Sequence, residues 1–297
     1  MNVLQEFILI AKFGELIKKN MMKNRIKPCI WFNNNASEAL NYYSTIIPNT
    51  ALKINHDLAI EATIAGLDFI FINADAIAQP NPSISFMLVF ETKEELKSVW
   101  DKLIAEGQVL MPLEKYPFSD YYGWIEDQFG ISWQLSLGKL ADVNNQKIIP
   151  TLMFSEIQQG NCKSALEFYA NLFHGFKSQG ILEYSADQEM KNQIMHAQFV
   201  INSLTLAAMD SGVPQHFTFN EAISFSISCT DQNEIDYYWN KITEFGEESR
   251  CGWCKDQYGI SWQIVPQNMD KIMSTNAKAS SALLGMKKII VSDLVNA

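Results

Sequence analysis

An α+β fold built from a repeated βαβββ module is what this sequence predicts, and three observations predict it. Residues 123–134 read GWIEDQFGISWQ and residues 252–263 read GWCKDQYGISWQ, nine of twelve positions identical at an offset of 252 − 123 = 129. A length of 297 residues suits two domains of that size, so the chain carries one domain twice. In each copy a short apolar run precedes an amphipathic stretch, and strand-like segments joined by tight turns follow.

The elements follow in order. Residues 1–26 form a leader in which Val3, Leu4, Phe7, Ile8 and Ile10 share one helical face, which predicts an amphipathic helix. Glu6 and Lys12 bracket five apolar residues and no small-residue cleavage site follows, so a signal peptide is not expected. The first domain, 27–141, opens with KPCIWF as a strand, three asparagines as turn and cap, and ASEALNYYSTII as a helix. The second domain, 148–270, opens with IIPTLMF, the loop SEIQQGN and the helix CKSALEFYANLF. Ala39, Leu40 and Tyr43 align with Ala165, Leu166 and Tyr169 on one buried stripe. Hairpins are predicted at Ala65-Gly66 and Asn202-Ser203, where two turn residues separate apolar runs. ISFMLVF and ISFSISC are equivalent strands, each leading into a helix that stops at a glycine. The Gly-Trp segment then closes each copy, residues 136–147 are a polar linker, and residues 271–297 are a tail.

Composition excludes several classes. A formal charge of −10 with no Lys/Arg cluster opposes nucleic-acid binding, and no apolar run reaches the length of a membrane span. Five cysteines at irregular spacing, in a chain large enough to fold without staples, point to reduced thiols and a cytoplasmic location. No two of the 14 glycines are separated by a single residue, so dinucleotide fingerprints and the usual glycine-rich loop for S-adenosylmethionine are absent.

On the tandem βαβββ order and the closing GW..D..G.SWQ, the chain resembles the vicinal oxygen chelate superfamily of glyoxalase I, extradiol dioxygenases and bleomycin-binding proteins. Within it the closing segment is similar to the PhnB-like branch, whose inherited label is demethylubiquinone 3-methyltransferase. The resemblance implies two half-open barrels of glyoxalase/bleomycin-resistance topology, each with a cavity, packed as a pseudo-dimer within a monomer or assembled as a homodimer. It also implies where a divalent metal would sit. Counted from the helix tyrosines, the ligand positions fall at Pro28 and Pro150 on the first strand, near Ile84 and Ile223 on the fifth, and at Gln134 and Gln263 on the last. Proline and isoleucine cannot ligate, so neither a metal nor another cofactor is expected.

Candidate ligand-binding residues are Gln134, Gln263, His196, Trp124, Trp253 and Phe154. Either glutamine serves a polar ligand or it is a buried amide satisfied by the protein. The tryptophans, with Phe154, either wall a cavity or belong to the core. His196 alternates with Gln198 on one strand face, which is a binding wall or a solvent face; its counterpart is Ala59. Asp210 reads as a turn residue. Cys251 and Cys254, three apart on a strand, should face opposite sides. The function expected is metal-independent binding of an apolar or aromatic small molecule. The alternative is an enzyme, a lyase or dioxygenase with an altered metal site or a group transferase as the family label says.

Overall fold

The first copy builds β1 (Ile26–Asn33), α1 (Ala36–Ile46), β2 (Ala51–His56), β3 (Ala59–Ile64), β4 (Leu67–Ala74), β5 (Ile84–Phe90), α2 (Lys93–Leu103), β6 (Gln108–Tyr116), β7 (Ser119–Glu126) and β8 (Ser132–Leu137). The second builds β9 (Ile148–Phe154), α3 (Cys162–Leu172), β10 (Lys177–Glu183), β11 (Ile194–Ile201), β12 (Leu204–Asp210), β13 (Ile223–Cys229), α4 (Gln232–Thr243), β14 (Glu247–Glu248), β15 (Trp253–Lys255) and β16 (Ser261–Pro266). Three short helices follow: α5 (Met269–Thr275), α6 (Ala279–Leu284) and α7 (Val291–Val295). The computed structural model describes residues 25–56, 58–185 and 190–297, and the helix expected in the leader lies outside them.

Local chemistry accounts for these elements. At the two predicted hairpins Ala65 and Gly66 have φ of 46° and 88°, and Asn202 and Ser203 have 44° and 74°, two successive left-handed residues as a tight hairpin turn demands. Thr92 and Asp231 cap α2 and α4 by accepting from the backbone N–H of Glu95 and Glu234. The strand-initiated helices are capped from a distance. Asn73 Oδ1 accepts from Ala36 N–H at 3.1 Å, and its counterpart Asp210 accepts from the N–H groups of Gly160, Cys162 and Ile194 at 2.8–3.2 Å. Asp210 is therefore a buried helix cap at the end of β12 and not a turn residue.

The strands form two eight-stranded mixed sheets. The first has the order β14-β15-β16-β13-β1-β4-β3-β2, the second β10-β11-β12-β9-β5-β8-β7-β6. Each sheet thus joins half of one copy to half of the other, through the antiparallel pairs β1–β13 and β5–β9. The helices explain the exchange. Tyr43 on α1 meets Phe71 of its own sheet and Trp133 of the other, with ring centroids 6.3 and 5.4 Å apart, and Phe69 meets Phe86 across the same layer at 5.2 Å. Modules of one copy stack face to face through their helices, so each module finds its edge partner in the other copy. The half-barrels are the helix-free faces of these composite sheets.

Two departures from internal symmetry shape those faces. The linker is not a free tether: Leu140 and Val143 pack on Val89, Ile149 and Ala207 of the second sheet. Gln198 Nε2 and Asn144 Nδ2 tie it down by donating to Asp142 O at 2.8 Å and Thr205 Oγ1 at 3.0 Å. The last hairpin also differs, since Gly107 and Gly123 lie 123 − 107 = 16 positions apart in copy one and Gly246 and Gly252 lie 252 − 246 = 6 apart in copy two. Where that hairpin is short the tail docks, Met286 and Lys287 accepting from the N–H groups of Cys251 and Gly252 at 2.9 and 2.8 Å. No helix of the described residues is long and apolar enough to cross a membrane.

Candidate functional site

Side-chain direction along β1 decides what faces a cavity. Phe32 packs on Phe71 within the helix layer, centroids 4.7 Å apart, so Ile26, Pro28 and Ile30 share that side while Lys27, Cys29 and Trp31 take the helix-free face. The positions reckoned at Pro28 and Pro150 are thereby corrected to Cys29 and Thr151, and those near Ile84 and Ile223 to Ser85 and Ser224. A slip of one residue in counting moves a strand position to the opposite face.

Each sheet gathers these residues around its glutamine. In the second sheet Gln134 Nε2 donates to Ser85 Oγ at 2.7 Å and its Oε1 accepts from Tyr122 OH at 2.9 Å. In the first sheet Gln263 Nε2 donates to Ser224 Oγ at 3.0 Å, and the Cys29 thiol lies against both. Burial pushes that thiol up to about 12, against the hydrogen bonds from Gln263 and Ser224 that pull it down. The inner constellations are therefore Gln134-Ser85-Tyr122, with Thr151 opposite Ser85 in the strand register and its hydroxyl on Ile149 O, and Gln263-Ser224-Cys29. These hydroxyls and amides, with one thiol held protonated, do not fit a divalent metal, which wants imidazole, carboxylate or thiolate. Among the described residues no three His, Cys, Asp or Glu side chains are grouped to hold one.

The outer parts of the two faces differ. On the second sheet the linker covers Val89, Ile149 and Ala207, at the far end of β5 and β9 from Ser132 and Met153, and Met153 stands where the first sheet has Trp31. The first sheet's opens into a groove of about 350 Å³ lined by Trp31, Trp253, Glu221, Lys255, Ser261 and Arg250, among others. Trp31 and Trp253 form its aromatic wall, centroids 5.6 Å apart and planes inclined at 48°. Lys255 and Glu221 pair across it.

The candidates named from sequence fall into separate places. Trp253 stands opposite Gln263 in the β15–β16 register, and Trp124 opposite Gln134 in the other sheet. His196 is half-buried on β11, with three strands between it and β8, and burial holds its imidazole below the ordinary 6.5. In the β11–β12 register it falls opposite Met209, and the Asp210 oxygens accept from backbone N–H groups. Phe154 is fully buried against Phe219 and Tyr258, at 5.0 and 6.0 Å, on the helix side of β9, and presents no face to a groove. Cys254 is buried and Cys251 half-exposed with its thiol near Leu283 O at 3.5 Å; both are free. Sequence reasoning missed Trp31, Cys29, Ser224 and Ser261. Strand alternation anchored on Phe32 was the signal that finds the first two.

A model of the family described as 3-demethylubiquinone-9 3-methyltransferase matches residues 24–136 and again 146–265. The chain belongs to that family. A putative 3-demethylubiquinone-9 3-methyltransferase, PhnB protein, from Bacillus cereus is 30% identical over 38% of this chain and 98% of its own, with a TM-score of 0.36. Glyoxalase I from Zea mays is 10% identical over 84% of this chain and 95% of its own, with a TM-score of 0.52, a likeness of fold alone. No curated protein matches the chain. The family's two copies here are thus carried on a glyoxalase-type pair of half-barrels.

Proposed function

We propose that this member of the 3-demethylubiquinone-9 3-methyltransferase family binds an apolar or aromatic small molecule, without a metal, in the groove of its first sheet. The carrying observation is the groove of the first sheet: neutral, mutually hydrogen-bonded donors lie at the inner positions of both sheets, and beside those of the first a groove opens against a pair of indoles. Trp31 and Trp253 supply flat apolar surface, with Gln263 beneath them and the Lys255–Glu221 pair at the margin. Met153 in place of Trp31 removes the indole pair from the second sheet, so this reading puts the site in the first, and five free thiols suit a reducing cytoplasm.

A thermal-shift screen of aromatic metabolites on the wild type and on Trp31→Leu tests this. A ligand at a hundred times its Kd should stabilise the wild type by about 2.7 kcal/mol and the variant far less. Equal stabilisation of both removes the groove as the site, and a stoichiometric divalent metal in the purified protein sinks the metal-free reading. Chemical change of the bound compound on incubation would turn the reading to the enzyme that the family description names.

A further inference from the structure

The two copies hold a tryptophan and a serine at matching positions and use them differently. In the second sheet Trp124 Nε1 donates to Ser132 Oγ at 2.6 Å. In the first, Trp253 makes no bond to Ser261 and leans on Trp31, whose counterpart in copy two is Met153. Ser261 Oγ is consequently buried with no hydrogen-bond partner, in a residue only 1% exposed that lines the groove. An unpaired buried hydroxyl is costly, so a ligand group that pairs with it recovers that cost on binding.

Charges around the groove cancel. Glu221 pairs with Lys255 and Glu248 with Lys287, and the remaining charges of the lining, Glu247 and Arg250, are one of each sign. No net charge is left to select an ion. Resting on the reading that this groove is the ligand site, we propose that its ligand is an uncharged planar ring carrying a hydrogen-bonding group on one edge. The ring lies against Trp31 and Trp253, and the edge group takes Ser261 Oγ as the Trp253 indole, unpinned by any bond to the serine, turns aside.

Two probes of similar shape separate the parts of this assignment: 2-quinolone, a neutral bicyclic lactam, and naphthalene, which lacks the edge group. Their binding is followed by tryptophan fluorescence in the wild type, Ser261→Ala, Ser261→Cys, Trp31→Leu and, as control, Ser132→Ala. The lactam should bind about tenfold tighter than naphthalene, and Ser261→Ala should erase that advantage without weakening naphthalene. Ser261→Cys, which keeps the bulk and loses the strong donor, should behave like Ser261→Ala, and Ser132→Ala should change neither probe. An unchanged lactam preference in both Ser261 variants overturns the role of Ser261. Equal binding of the two probes to the wild type, weakened alike by Trp31→Leu, overturns the ligand class and leaves the groove standing. Failure of both to bind, or binding indifferent to Trp31→Leu, takes the groove reading down as well.

Discussion

At the residue scale the repeated segment owes its identity to an aspartate. Asp127 Oδ2 accepts from Tyr43 OH and Trp133 Nε1 at 2.7 and 2.8 Å while Oδ1 accepts from the N–H groups of Phe129 and Ile131 at 2.8 and 3.0 Å. Asp256 repeats all four bonds with Tyr169, Trp262, Tyr258 and Ile260. Four donors converge on one carboxylate, so an amide in its place turns its own donors toward two of them. Asp127→Asn should cost about 3 kcal/mol for the groups left unpaired, measured as a lower urea midpoint; an unchanged midpoint would deny the hub its role. The aspartate was visible in the sequence, but not the tyrosine 84 residues away that it holds. His196 offers a second test. Because burial lowers its folded value below 6.5, the unfolded chain takes up the proton first, and stability present above 6.5 is lost as pH falls through the folded value. The wild type should lose stability between about pH 7 and pH 5 more steeply than His196→Gln, and parallel profiles would acquit the histidine.

At the scale of elements, what periodicity and turn chemistry determine was legible. The hairpins at Ala65-Gly66 and Asn202-Ser203, and the stripe through Tyr43 and Tyr169, needed only neighbours in sequence. Reckoning of the inner positions failed by one residue because nothing local fixes the register of a nearly all-buried strand such as β9. The linker was misjudged for a similar reason: its polar residues hid Leu140 and Val143, whose partners Val89 and Ala207 lie far off in sequence. With Val143 5% exposed, Val143→Ala removes two buried methyl-sized groups and should cost about 1.5 kcal/mol in a denaturation midpoint. A cost near zero would mean that the linker rests on the sheet without stabilising it.

At the scale of the molecule, duplication and strand exchange together make the chain a pseudo-dimer whose halves cannot be parted without opening both sheets. Cutting between Asn144 and Asn145, both exposed and both left-handed at φ of 56° and 59°, severs the chain while sparing every strand. Each piece would then present two unpaired strand edges, β1 and β5 on residues 1–144, β9 and β13 on residues 145–297. Long unpaired edges in apolar strands bind another chain or aggregate. Co-expressed, the pieces should purify as a one-to-one complex with the circular dichroism of the intact protein. Residues 1–144 alone should pair with themselves through β1 and β5, which carry the same edges that β9 and β13 present, and run as a dimer on size exclusion. A soluble, folded monomer of either piece would show that each copy closes on itself, and that the exchanged sheets are not what holds this fold together.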